Sequence, residues 1–195
     1  SLSGQWDYVE PALFGYAVGM VIESYYKFFI SDKEKVVAHF HEWMSGSGAL
    51  YLNDHLPQVG TVFTTHATVV GRSLAGRGEP LFDQMEEYDA NIRANEMDVV
   101  SKHSMEKTTA GNVDCFTTIS EITARECSAF LSRDVDVITP NGFDSSLVPS
   151  GKAYDEKRTT ARKKLIEVAS RLLGRDIDEN SLLVVHSGRY EFRNK

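Results

Sequence analysis

Four short β-branched or apolar runs, at residues 36–41, 61–66, 115–119 and 136–139, each end in polar residues and are separated by stretches with helical or turn-forming character. A run that is apolar without alternating suits a parallel strand covered on both faces. Strands that alternate with helices define an α/β chain, so the pattern predicts a Rossmann-like, doubly wound parallel sheet. Residues 11–30 carry Phe14, Val18, Val21, Tyr25 and Phe28 at helical steps, predicting a helix with that face buried. A short helix is expected over 48–55. A mostly helical, charged stretch follows over 83–110, with Met85, Ile92, Met97, Val99 and Val100 inward. Ser120 is placed to cap a helix whose Cys127, Phe130 and Leu131 share one face. Residues 154–173 predict a further helix with Ala161, Leu165, Val168, Ala169 and Leu172 in one stripe, and 182–186 read as a fifth strand.

Size and charge narrow the function classes. At 195 residues the chain holds one full domain and a portion of a second. A net charge of −7 supplies no broad basic field, which argues against nucleic acid or an anionic membrane surface as partner. The apolar stretch 13–22 is too short for a span of roughly 20 residues. Cys115 and Cys127 lack a metal or disulfide spacing and read as reduced thiols of a cytoplasmic protein. The fifth strand ends the chain with no element after it to cover its faces, leading to the expectation that these residues belong to a longer protein.

Chemistry-bearing residues gather where strands should end. His39, His41, Glu42 and Trp43 close the first run; His66 closes the second, with Arg72 six residues on; Arg189 and Lys195 follow the fifth. Open α/β sheets bind ligands beyond the carboxyl ends of their strands, and cations there suit a phosphate. His66 taken alone reads first as a buried histidine satisfied by its neighbouring threonines, and Arg72, Arg189 and Lys195 read first as solvated charges. His39, His41 and Glu42, with His66 as third ligand, outline a partial zinc site as an alternative.

The strings Phe40-His41-Glu42-Trp43, Phe63-Thr64-Thr65-His66-Ala67-Thr68-Val69-Val70-Gly71-Arg72, Thr139-Pro140-Asn141-Gly142-Phe143 and Gly188-Arg189-Tyr190-Glu191-Phe192-Arg193-Asn194-Lys195, with Phe14-Gly15-Tyr16 before them, occur in the order found in glycogen synthases. The chain resembles the animal and fungal type. That resemblance implies a retaining GT-B glycosyltransferase, with two Rossmann-like domains across a cleft. Residues 1–145 would form the later part of the N-terminal domain, and 146–195 the first helix and strand of the nucleotide-binding one.

It further implies UDP-glucose as donor and an α-1,4-glucan as acceptor, with no cofactor and no metal. His66, Arg189 and Lys195 are the implied catalytic set: the histidine against the transferred glucose, the two cations on the donor's distal phosphate. Arg72, Glu42, Trp43, Asn141 and Gly142 are the implied substrate-binding set. The family's glycine-rich loop and later glutamate-bearing segment fall outside these residues, so the chain alone is expected to be inactive. A homo-oligomer is compatible with the full-length protein. Two alternatives stay open: a related GT-B enzyme using another nucleotide sugar, and a non-catalytic module binding nucleotide or glucan.

Overall fold

The computed structural model describes residues 6–31 and 34–185. The chain divides after Asn141 into two compact units. The first runs through α1 (Val9–Tyr25), β1 (Val37–His41), α2 (Gly46–His55), β2 (Gly60–Thr65), α3 (Val69–Arg77), α4 (Leu81–Gln84), α5 (Ala90–Glu96), α6 (Val100–Asn112), β3 (Cys115–Thr118), α7 (Glu121–Leu131) and β4 (Val137–Ile138). The strands form one parallel sheet in the order β1-β2-β3-β4, so all four deliver their C-terminal residues to the same edge. This is the α/β architecture expected from the alternating runs.

Register follows from side chains at the strand starts. Asp114 accepts from the Thr61 backbone N–H at 2.7 Å and from the Thr61 hydroxyl at 3.0 Å, tying the head of β2 to that of β3. Asp136 accepts the Phe116 N–H at 2.7 Å and does the same for β4. Both carboxylates satisfy backbone donors that the ladder leaves open, as buried strand ends require. With β1, β2 and β3 in that register, Ala38, Phe40, Phe63 and Phe116 share one face. They pack there with Leu52, Leu56, Val59, Ala110, Val113, Cys127 and Leu131. Phe63 and Phe116 are fully buried and stacked at 5.7 Å, each contributing about 2–3 kcal/mol by burial. A second apolar cluster, from Val70, Leu74, Leu81, Met85, Ala94, Met97 and Phe130, joins α3 through α5 to α7.

Several expected faces differ from those observed. Helix α1 buries Gly15 and Gly19, while Phe14, Val21, Tyr25 and Phe28 are exposed. The reason is steric: α1 crosses α2 so closely that an added Cβ at Gly19 would lie 2.8 Å from the Tyr51 ring, so the helix approaches by its smallest residues. Strand β1 is the edge of the described sheet, and its burial alternates, with Ala38 and Phe40 inside and Val37, His39 and His41 outside. Ile92 and Val100 are exposed, whereas Met85 and Met97 are buried and Val99 packs against them.

The second unit contains α8 (Gly151–Leu173), which buries only Ile166 among its described residues and leaves Leu165 and Leu172 exposed. Arg162 donates to the carbonyls of Glu179 and Ser181 and pins the returning segment to the helix. Residues 182–185 form no strand, and Leu182, Val184 and Val185 are exposed; among the described residues no strand of this unit pairs with them. Cys115 and Cys127 are both free thiols. Among the described residues, no helix is long and apolar enough to cross a membrane.

Candidate functional site

At the carboxyl edge of the sheet, Glu42 follows β1 in a backbone conformation, φ 63° and ψ 160°, that side-chain-bearing residues rarely adopt. Strain of this kind persists only where neighbours over-determine it, and it concentrates at functional sites. Here the Glu42 N–H donates to the Thr64 carbonyl at 2.9 Å, and the Glu42 carbonyl accepts from the Ser45 N–H at 3.1 Å. The distortion aims the carboxylate sideways along the edge. Its Oε1 accepts the His66 backbone N–H at 3.0 Å, and its Oε2 lies 3.7 Å from the Arg72 guanidinium.

Those contacts join three of the expected site residues. Arg72 sits in the first turn of α3, its N–H bonded to the Thr68 carbonyl at 2.9 Å, with most of its side chain in solvent. With the guanidinium largely in solvent, a pair at that separation is weak, well under about 1 kcal/mol. His66 is half-buried, and its ring stacks on that of His41 at 5.8 Å. His41 lies in turn 4.2 Å from His39, whose Nε2 is 2.7 Å from the Thr64 hydroxyl. Loss of water around its ring, then the neighbouring His39 and His66, hold the His41 pKa below the usual histidine value, which favours the neutral form of His41.

Trp43 is half-buried beside Lys102, whose ammonium stands 5.6 Å from the indole centroid and pairs with Asp7. Asn141 and Gly142 are exposed; Asn141 belongs to the first unit, two residues after Thr139, whose N–H donates to the Thr118 carbonyl at 2.7 Å. Arg189 and Lys195 lie outside the described residues. Among the described residues, no group of three or more His, Cys, Asp or Glu is arranged to hold a metal ion. In the zinc alternative the three rings would have to converge on one point, whereas they follow one another in a row, His39 tilted by 32° against His41 and His41 stacked on His66.

Beneath the 65–71 turn are two residues that sequence reading passed over. Glu106 and Glu126 are buried, on α6 and α7. Glu106 accepts the Thr65 hydroxyl and the Val69 N–H, each at 2.9 Å. Glu126 accepts the Thr68 N–H at 2.7 Å and its hydroxyl at 2.6 Å. Burial raises both pKa values, Glu106 to about 8. A periodic helical pattern marks neither residue, because a glutamate there normally faces water.

A parallel α/β sheet whose carboxyl edge carries a strained carboxylate, a histidine and an arginine defines the Rossmann-like kind of domain that glycosyltransferases use. The glycogen synthase family model matches residues 6–195, and the chain belongs to the glycogen synthase family. It is 34% identical over 190 residues to the glycogen (starch) synthase of Dictyostelium discoideum, covering 95% of this chain and 21% of that protein. To the Caenorhabditis elegans glycogen (starch) synthase it is 31% identical over 189 residues, covering 95% and 28%. To the liver glycogen (starch) synthase of Rattus norvegicus it is 33% identical over 168 residues, covering 85% and 24%. The chain therefore spans only about a quarter of the length of these relatives.

Proposed function

We propose that the protein containing this chain is a GT-B glucosyltransferase that moves glucose from UDP-glucose to the non-reducing end of an α-1,4-glucan with retention of configuration. The carrying observation is the Glu42–His66–Arg72 linkage at the sheet's carboxyl edge, made by the residues that match the family's donor-site motifs. In this reading the His66 imidazole hydrogen-bonds a hydroxyl of the transferred glucose. Arg72 turns from Glu42 toward the donor nucleotide. Glu42 and Trp43 border the sugar pocket, and Asn141 and Gly142 contribute from the turn after β4.

As the bond between the anomeric carbon and the distal phosphate oxygen breaks, its electron pair leaves on the diphosphate. Arg189 and Lys195 stabilise that growing charge, an effect worth several kcal/mol when the cations are preorganised. The glucan 4-hydroxyl oxygen bonds to the same face of the anomeric carbon and its proton passes to the leaving phosphate. No carboxylate nucleophile and no metal are required. The 195 residues alone are inactive in this reading, and the full-length enzyme works in the cytoplasm.

Glucose incorporation into glycogen by the full-length protein tests the proposal. The unsubstituted protein should turn over with UDP-glucose, and His66→Ala should lose most turnover while keeping much of its UDP affinity. Incorporation with a different nucleotide sugar only, or UDP and glucan binding without any transfer, would replace this reading by one of its two alternatives.

A further inference from the structure

We infer that Glu106 and Glu126 are positioning residues, which hold the 65–71 turn from below so that His66 and Arg72 keep their places at the ligand edge. This inference rests on the proposed function above for the roles of His66 and Arg72, but its geometric basis is independent of it.

The turn must leave β2, pass His66 and enter α3 within a few residues, and it does so with its backbone donors committed to carboxylates. The N–H groups of His66, Thr68 and Val69 go to Glu42, Glu126 and Glu106 respectively. Only Glu42 is at the ligand edge. The other two arrive from α6 and α7 beneath it, with Thr65 and Thr68 fully buried between. Thr68 caps α3 by accepting the Gly71 N–H at 3.0 Å while its own hydroxyl proton goes to Glu126. Glu126 also lies against Gly71, where an added Cβ would collide with its carboxyl. The arrangement fixes both ends of the His66 segment: Thr65 and Val69 to one carboxyl group, Thr68 to the other.

The bonding also states which chemistry each position requires. Glu126 uses Oε1 alone for its two bonds, so glutamine at 126 can supply the same acceptor. Glu106 accepts the Thr65 hydroxyl through Oε1 and the Val69 N–H through Oε2. Glutamine at 106 keeps an acceptor for the Val69 N–H in its carbonyl, and its amide can donate to the Thr65 oxygen while the Thr65 hydroxyl turns to the Ala67 carbonyl, 3.3 Å away. Alanine at either position reproduces nothing.

The test has two arms. In the full-length protein, Glu106→Ala, Glu126→Ala and the near-isosteric Thr68→Val should lower kcat roughly 10- to 100-fold, the usual consequence of displacing a reacting group by about 1 Å. KM for UDP-glucose should rise by a smaller factor than kcat falls, because Arg72 is displaced with the turn while the donor's phosphates are gripped by Arg189 and Lys195. Glu106→Gln, Glu126→Gln and Thr68→Ser should recover most of that kcat. In the 195-residue chain, the Thr68 and Val69 amides should exchange with solvent at least about 100-fold faster in the alanine variants than in the glutamine variants. Unchanged kcat in Thr68→Val and the alanine variants, or glutamine variants as impaired as alanine ones, overturns the inference. Should the full-length protein show no glucosyl transfer, the proposed function falls, and equal exchange in alanine and glutamine variants would then overturn this inference on its own.

Discussion

Helix α1 meets α2 through glycine, which makes Gly48→Ala a quantitative probe of why the aromatic face of α1 is turned outward. A Cβ at Gly48 would lie 2.5 Å from the Gly15 carbonyl oxygen and 2.7 Å from the Phe40 ring. An ordinary carbon–oxygen contact is about 3.3 Å, so the helices would have to part by roughly 0.8 Å. The obstacle on one side is backbone, and on the other a fully packed aromatic, so neither yields by a rotamer change. Overpacking of this kind costs about 1–3 kcal/mol, against a helix-propensity gain of about 0.5–1 kcal/mol for replacing glycine. The net expectation is a loss of about 1–2 kcal/mol. Gly111→Ala in α6 meets nothing within 4 Å and should show the propensity gain alone. The two variants should therefore differ by about 2 kcal/mol, close to 30-fold in the folding equilibrium. Both tryptophans, Trp6 and Trp43, lie in the first unit, so fluorescence-detected urea unfolding reads that unit selectively. The midpoints should move in opposite directions at constant slope. A Gly48→Ala chain as stable as Gly111→Ala would refute the close-approach account of the α1–α2 contact.

Two buried ionisable groups give pH signatures of opposite sign. Glu106, raised by burial to about 8 from an ordinary 4.5, keeps its proton in the folded chain where the unfolded chain has released it. Its contribution is fully present below pH 4.5 and is lost as pH rises toward 8, amounting to about 3 kcal/mol by pH 7. Glu106→Gln should remove that slope, and unfolding curves for the two proteins that stay parallel from pH 5 to 8 would rule out a neutral buried carboxyl. His103 is held below its ordinary 6.5 by burial, with Lys107 adding to the effect, and neither ring nitrogen has a hydrogen-bond partner among the described residues. The unfolded chain takes up a proton below 6.5 that the folded chain resists, so stability falls as pH drops from about 7 to 5. His103→Leu should flatten that acid limb in thermal melts; a limb of unchanged steepness would assign it to other groups.

The strands were legible because β-branched runs bounded by turn residues are a local property of the chain, and each of the four expected runs overlaps an observed strand. Their parallel order also puts His41, Glu42 and His66 at one edge, since parallel strands can only end on the same side. Arg72 was legible for the same reason, one helical turn into the element that follows β2. The run at 182–185 shows the limit of that logic: apolar residues suited to a strand form one only where a neighbour completes the ladder.

Burial was decided by the tertiary structure. Helical periodicity states which residues share a face but not which face a neighbour will cover, and so Phe14, Val21 and Phe28 could be grouped correctly yet turn outward once Gly15 and Gly19 set the contact with α2. The same freedom hid Glu106 and Glu126 among solvent-facing charges, although α6 and α7 carry them under the His66 turn. A carboxylate becomes a structural acceptor only when packing removes its water and backbone donors replace it. The chain's local chemistry thus determined the sheet and the edge on which the site lies. Only the packing of α6 and α7 decided what holds that site in place.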